Sequence, residues 1–463
     1  MATFPLLLLS LSLCSSAGPV PVRASLRAQA PAPPAAQQPA PPATAERTVD
    51  EAQAEVENLR GWTFKRPVKR ERTSIEDAKR DLRRNLERTL PADRRALTRA
   101  FLATAGFIPP GLDIEATLLS LLEQQVAGYY QPETATLHLV QRAQRMPAFV
   151  ERIVLVHELT HALDDQHADI RTLTEPEGDR TEDMDIVLTS LVEGSATSLM
   201  LQHMMRAQAA GQVNPGELMQ YAAEEMERAK VFEELPAYFS ALFGSYLVGA
   251  SFLAQGELAA ILTMPDNRVI GERFLAARRS PPLSSEQMLH PEKYWDPARR
   301  DDPTAIDDGA VERWLAGGAR WVVHRDTLGE LLTAVLSRAR GAKVSVGQLQ
   351  TLASWTNAAA AGWDGDRFYL LATGRDAAEA RQTLSGVRGV WITTWDGAGD
   401  RDEFAAALPT GSVPAGTVVV PFGATHAAVF FGVPDGERQA LVEALKPAGE
   451  TFFRSSQVAE GRN

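Results

Sequence analysis

The spacing of apolar positions predicts a largely helical first part of the folded chain. From Val49 to about Glu123, apolar residues recur every three or four positions among many charges, which is typical of amphipathic helices. In SIEDAKRDLRRNLERTL, Ser74 precedes this pattern and Asp77 lies in its first turn, so Ser74 is expected to be a helix N-cap. Two longer helices are predicted, from Ala148 to about His167 and from Glu182 to about Ala210.

Other patterns predict strands. VAGYYQPETATLHLV (Val126 to Val140) contains two β-prone runs around a QPET turn, which indicates a hairpin. After Asp308, apolar runs such as FYLLAT and VWITTW alternate with helical ones such as ELLTAVLSRA. We therefore predict an α+β fold, with a largely helical domain at 49–308 that has a helical N-terminal part at 49–123 and a β-hairpin edge. A smaller C-terminal module of alternating strands and helices, of α/β or α+β type, is predicted at 309–463.

The N-terminus predicts export. Residues 1–24 begin with the apolar run FPLLLLSLSL and end in small residues, as a signal peptide does, and residues 25–48 are a proline- and alanine-rich linker. Leu13 disfavours lipidation of Cys14, the only cysteine, so the mature chain is expected in the periplasm or outside the cell, without disulfides or cysteine metal ligands. A net charge of -12 argues against nucleic-acid binding. No later run predicts a membrane span.

VLVHELTHALDDQH contains the HExxH pattern. His157 and His161 are four residues apart, so on a helix their imidazoles project from one face and suit two ligands of a tetrahedral zinc ion. Glu158 follows the first histidine and can act as general base toward a metal-bound water. Because the surrounding residues are apolar nearly all round, the helix is predicted to be buried, where titratable groups need a partner such as a metal ion.

The remaining protein ligand has two candidates. His167 would give HExxHxxDxxH, close to the metzincin pattern, but that pattern needs a glycine where this chain has Asp164. Glu193, in SLVEGSAT on the next long helix, lies among small residues that allow close helix approach, and a lone buried carboxylate there needs a cation. The sequence favours Glu193, and predicts that Asp164, Asp165 and His167 accept ligand N–H groups or cap the helix.

A set of motifs in a fixed order resembles a family of exported bacterial and archaeal predicted metalloproteases. The motifs are EQQVAGYYQPETATLHLV, VHELTHALDDQH, SLVEGSAT, PPLSSEQMLHPEKY and AAAGWDGDRF followed by WITTWD, and they span about Val49 to Phe404. The resemblance implies a zincin-like peptidase of gluzincin type, with HExxH on one helix and a glutamate on the next. Gln131 departs from the family, which has an acid in the hairpin turn.

The predicted reaction is zinc-dependent peptide hydrolysis on a peptide or protein substrate. The hairpin edge is expected to pair with extended substrate, Glu158 to carry the proton, and a further donor to stabilise the oxyanion. SSEQMLHPEKY offers His290 and Tyr294 as that donor, with Tyr246 as another candidate. Two alternatives remain: a catalytically silent zinc-binding peptide clamp or envelope assembly factor, and zinc amide hydrolysis on cell-wall peptides.

Overall fold

The computed structural model describes residues 45–141, 146–174, 180–316, 320–342, 344–349, 351–445 and 453–454. The predicted signal peptide at 1–24, with Cys14, and most of the linker predicted at 25–48 lie outside these ranges. A helix begins at Ala45, so the last four residues of the predicted linker are helical instead. The reason is local: Val49, Ala52 and Val56 follow helical spacing, and each is almost completely buried.

Helices make up most of the chain before the C-terminal sheet. They are α1 (Ala45–Arg60), α2 (Ile75–Thr89), α3 (Ala92–Ala105), α4 (Ile114–Gln125), α5 (Ala148–Ala168), α6 (Arg171–Thr174), α7 (Glu182–Ala209), α8 (Pro215–Ala229), α9 (Ala237–Leu253), α10 (Leu258–Thr263), α11 (Arg268–Arg279), α12 (Ser285–Leu289), α13 (Glu292–Trp295) and α14 (Gly309–Leu315), with a 3₁₀ turn at Lys230–Glu234. The two long predicted helices correspond to α5 and α7, and Ser74 caps α2 by accepting the Asp77 N–H at 3.1 Å. These predictions are confirmed.

A three-stranded sheet covers one side of α5. Its strands are β1 (Lys69–Ser74), β2 (Gly128–Gln131) and β3 (Thr136–Gln141), in the order β1-β3-β2. Strands β2 and β3 form the predicted hairpin, and β1 pairs with β3 in parallel. The prediction that 49–123 is helical is therefore wrong at β1. KRERTS lacks the apolar alternation of a strand because only Thr73 is buried, and pairing with β3 makes it one.

The C-terminal part is built on a five-stranded antiparallel sheet. Its order is β5-β6-β7-β9-β8, and all neighbouring strands in it are antiparallel, so the α/β-type description is wrong and the α+β description fits. The helix between β6 and β7 has only seven residues, too few for a crossover that returns the chain in parallel. The elements are β4 (Ala305–Ile306), β5 (Arg320–Asp326), α15 (Gly329–Ser337), α16 (Val346–Leu349), β6 (Trp363–Thr373), α17 (Ala377–Thr383), β7 (Ser385–Trp395), α18 (Ala398–Ala407), β8 (Val418–Phe422), β9 (His426–Phe431), α19 (Asp435–Leu445) and β10 (Phe453–Arg454), with 3₁₀ turns at Leu352–Ser354 and Leu408–Thr410.

One apolar core joins the helices to this sheet. The largest buried cluster contains residues of both, and the ring of Phe101 on α3 lies 5.0 Å from that of Phe368 on β6. The other sheet face packs against α14 and α19 through a smaller cluster that includes Tyr369 and Leu441. The fold is therefore mixed α+β, as predicted, and the sheet is packed onto the helical part.

Helix α7 lies at the centre of the helical part. Of the helices in the described residues, it alone is long and apolar enough to cross a membrane by length and composition. Most of its apolar stretch is buried inside the protein, as expected of the core helix of a folded domain. Helix α9 crosses it so closely that a Cβ added to Gly194 of α7 would lie 2.1 Å from the carbonyl carbon of Gly249.

Candidate metal centre

Helices α5 and α7 bring three predicted ligands together. The Nε2 atoms of His157 and His161 lie 2.9 Å apart, and the Glu193 Oε2 atom lies 3.2 Å from the first and 3.4 Å from the second. All three side chains are buried. The histidines are one turn apart on α5, so their rings project from one face, and α7 supplies the carboxylate from the side. The three residues predicted as ligands therefore lie together and could hold a metal ion.

The electrostatics of this cluster favour a neutral His157 and an ionised Glu193, but they favour the protonated form of His161. Burial, together with the neighbouring His161, lowers the pKa of His157 to about 4. Burial also opposes the charged form of His161, but Glu193 outweighs it and raises that pKa. Although burial opposes ionisation of Glu193, the two histidines hold the pKa of that carboxyl well below its usual range. A carboxylate and a neutral imidazole are the forms that bind a metal ion, so His157 and Glu193 are in the binding form and a metal ion would have to displace a proton from His161.

The triangle of donor atoms fits a tetrahedral metal ion. Ligand distances of about 2.0–2.2 Å for zinc give a tetrahedron whose edges measure about 3.3–3.6 Å. The observed separations of 2.9, 3.2 and 3.4 Å are close to that edge. Two imidazoles and one carboxylate are also a ligand set found in catalytic zinc sites, which leave one position open. The residues present can therefore hold a metal ion.

His167 does not belong to this cluster. Helix α5 continues through it to Ala168, and Asp169 ends the helix in a left-handed conformation with φ 47°. His167 consequently points elsewhere: its ring stacks on Trp62 at 4.8 Å, and its Nε2 lies 2.9 Å from the Thr63 carbonyl oxygen. The metzincin-like alternative needed the helix to end at Asp164, so the geometry rules it out.

The predicted hydrogen bonds from the ligand imidazoles are also absent. The Nδ1 atoms of His157 and His161 are buried without a hydrogen-bond partner among the described residues. Asp164 instead accepts from Arg60 and Ser195, and Asp165 accepts the Tyr130 hydroxyl at 2.7 Å. These acids therefore bind α5 to its neighbours. Among the described residues they accept no hydrogen bond from the ligand imidazoles.

Glu158 lies beneath the edge strand β2. Its side chain is almost completely buried, and its Oε2 atom accepts the Tyr130 backbone N–H at 2.8 Å. A Cβ added to Gly128 would lie 3.7 Å from Val154 Cγ1 and 4.0 Å from Glu158 Cγ, so the strand passes directly over this face of α5. The hydrogen bond fixes the carboxylate beneath β2, and the charge of Glu158 contributes to the raised pKa of His161.

His290 and Tyr294 are not brought to the ligands. His290 Nε2 lies 3.0 Å from an oxygen of the buried Glu330, and the Tyr294 hydroxyl donates to the Ser280 carbonyl at 2.5 Å. Gly329, next to Glu330, abuts Asp183, which precedes Glu193 by ten residues, about 15 Å along α7. A donor to the oxyanion has to lie at the metal, so this geometry does not support the predicted role of either residue.

Tyr246 is the sequence candidate that does lie near the ligands. It is buried on α9, and its ring is 6.1 Å from the ring of His157. Its place follows from the close α7–α9 crossing at Gly249, one turn further along α9. Its sequence signal was only an aromatic residue within an apolar helix, FGSYLVGASF.

Two other features do not form a competing metal site. Glu286, Asp301 and Asp396 converge, but the Lys293 ammonium lies among them, 2.7, 2.8 and 3.3 Å from their oxygens, and supplies the positive charge. A cavity of about 660 Å³ between the α3–α4 turn and the C-terminal sheet is lined by none of the metal-cluster residues.

The fold and the cluster together define an α+β protein with a buried candidate metal centre. A family model described as "Domain of unknown function (DUF8575)" matches residues 320–450, which hold the antiparallel sheet and its helices and exclude the cluster. No curated protein and no solved structure matches the chain.

Proposed function

We propose that this protein is an exported zinc metallopeptidase with a zincin-like arrangement of gluzincin type. The observation that carries the proposal is the triangle of His157, His161 and Glu193 donor atoms, with edges close to those of a tetrahedral zinc site, next to the oriented carboxylate of Glu158. A ligand cluster alone would suit a structural metal. The adjacent carboxylate adds the group that hydrolysis needs.

Each residue has a role in this reaction. When bound, zinc would polarise the peptide carbonyl and lower the pKa of a coordinated water. Glu158 would take the proton of the attacking water and deliver it to the leaving amine. The Tyr130 N–H holds the Glu158 carboxylate in place beneath β2 throughout. Tyr246, the candidate nearest the ligands, replaces His290 and Tyr294 as the expected donor to the oxyanion.

The edge strand gives the substrate class. Among the strands of the described residues β2 pairs only with β3, so it is the edge strand of this sheet, and Glu158 accepts the Tyr130 N–H beside it. A peptide added to this edge would run over α5 beside Glu158, with its backbone hydrogen bonds supplying affinity. We therefore propose a peptide or protein substrate bound in extended conformation.

The test is a comparison of Glu158→Gln with the unchanged chain. We expect about one zinc per chain by mass spectrometry in both, hydrolysis of casein or a peptide library by the unchanged chain, and loss of that hydrolysis in the variant. Glu151→Gln is the matched control, because Glu151 is exposed on the same helix, and it should retain both properties.

Three outcomes would contradict parts of the proposal. Hydrolysis that survives in Glu158→Gln would exclude its role as base. Zinc without hydrolysis of any peptide by the unchanged chain would favour the silent clamp or assembly factor. Release of amides from cell-wall peptides, with proteins left intact, would assign the same chemistry to the narrower substrate.

A further inference from the structure

Arg60 is a completely buried cation at the end of α1. Its guanidinium donates to Asn267 Oδ1 at 2.7 Å, to Ser195 Oγ at 2.8 Å and to Asp164 Oδ2 at 3.1 Å. The ring of Trp62 lies 5.2 Å away. Four elements that are remote in sequence thus meet at one side chain.

Two of its partners are next to metal ligands. Asp164 follows His161 by three residues on α5, and Ser195 follows Glu193 by two residues on α7. The Ser195 hydroxyl also donates to Asp164 Oδ2 at 2.6 Å. Helices α5 and α7 are therefore joined within about one helical turn of the ligands, at a point separate from the ligands themselves.

The chemistry of the group suits positioning better than stability. Removing an arginine and an aspartate from water costs several kcal/mol per ion, and apolar side chains of similar size often stabilise a core equally well. What an apolar replacement lacks is direction: the planar guanidinium fixes several acceptors at set angles. The surrounding chain also makes room for it, since a Cβ on Gly271 would lie 2.8 Å from Arg60 Cδ.

We propose that Arg60, with Asp164 and Ser195, is a positioning group that sets the separation of α5 and α7 and thereby the affinity and geometry of the metal centre. The inference rests on the proposed function only in that a metal ion binds to the three ligands. It does not depend on hydrolysis. The proposal also implies that the active protein retains α1, because removal of α1 would remove Arg60.

The test uses Ser195→Ala, with Ser198→Ala as a matched control, in the full chain. Both serines are completely buried on α7, but the Ser198 hydroxyl donates within its own helix, to the Gly194 carbonyl at 2.7 Å, and has no other hydrogen bond among the described residues. The dissociation constant for zinc is measured by chelator competition, and the visible spectrum of the cobalt(II)-loaded protein reports coordination geometry. Thermal unfolding of the metal-free forms measures fold stability separately.

We expect Ser195→Ala to raise the zinc dissociation constant about 10-fold and Arg60→Lys by up to about 100-fold, each with an altered cobalt spectrum. Ser198→Ala should leave both unchanged. Equal affinities and spectra for Ser195→Ala and Ser198→Ala would overturn the positioning role and leave the proposed hydrolysis intact. Failure of the unchanged chain to bind zinc would overturn both. If Arg60→Lys does not fold, the comparison of Ser195→Ala with Ser198→Ala still tests the positioning role.

Discussion

The crossing of α7 and α9 predicts that Gly249→Ala will destabilise the protein and weaken its metal site. The new Cβ would lie 1.7 Å from the Ser190 carbonyl oxygen, whereas real Cβ atoms essentially never approach closer than 3.0 Å. The helices must therefore separate by about 1.3 Å or more, because the opposing atom is backbone and cannot rotate away. Overpacking of this kind costs about 1–3 kcal/mol, and we expect a loss near the upper value.

The same displacement reaches the ligands. Ser190 and Glu193 are one turn apart on α7, so moving Ser190 shifts the carboxylate, while metal–ligand distances tolerate only about 0.2 Å. We expect the zinc affinity to fall about 10-fold or more.

The assay is urea unfolding of the metal-free chain together with chelator competition for zinc. The control is Gly436→Ala on α19, where an added Cβ meets nothing within 4 Å, and it should be as stable as the unchanged chain or slightly more so. If the free energy of unfolding of Gly249→Ala lies within about 0.5 kcal/mol of that of the unchanged chain and its zinc affinity is unchanged, the close crossing of α7 and α9 does not support the site.

Three further predictions concern the ligands, the donor and pH. Glu193→Ala should lose zinc while His167→Ala retains it, measured as metal content per chain. Loss of zinc from His167→Ala but not from Glu193→Ala would instead support His167 as the ligand. Tyr246→Phe should lower kcat with zinc content unchanged, and an unaltered kcat would remove Tyr246 from the reaction. Burial raises the pKa of Asp183 to about 7, so the folded state holds its proton more tightly than the unfolded state. The free energy of unfolding should therefore decrease as the pH rises from about 4 to about 7, by roughly 4 kcal/mol at most. Asp183→Asn should flatten that fall in thermal unfolding, and an unchanged profile would contradict this assignment.

The ligands could be predicted because their signals are local. HExxH fixes two imidazoles on one helical face, and the small residues around Glu193 indicated a close helix contact. Helix α5 approaches α7 at Glu193, and α9 packs on the neighbouring Gly194, so two helices meet this small-residue segment. Helix α7 is buried on nearly all sides, so its sequence carries no mark of which neighbour faces which residue.

The rest of the site depends on contacts between distant segments. Arg60 lies on a charged helix whose pattern predicts exposure, and its burial follows from partners more than a hundred residues away. His290 stands in a motif-rich segment but pairs with Glu330. In the C-terminal sheet the elements were predicted, while strand direction was not, because direction depends on the seven-residue α17.

The Arg60 contacts also constrain the order of assembly. Asn267 lies 207 residues after Arg60, and its backbone N–H donates to the Leu59 carbonyl at 2.7 Å. A chain that emerges from a ribosome or a translocation channel contains α1 long before it contains Asn267. Until then, Arg60 lacks this hydrogen-bond partner. Long-range closure of this kind slows folding. If Arg60 positions the candidate metal centre as proposed, that centre is complete only after more than half of the chain has been delivered.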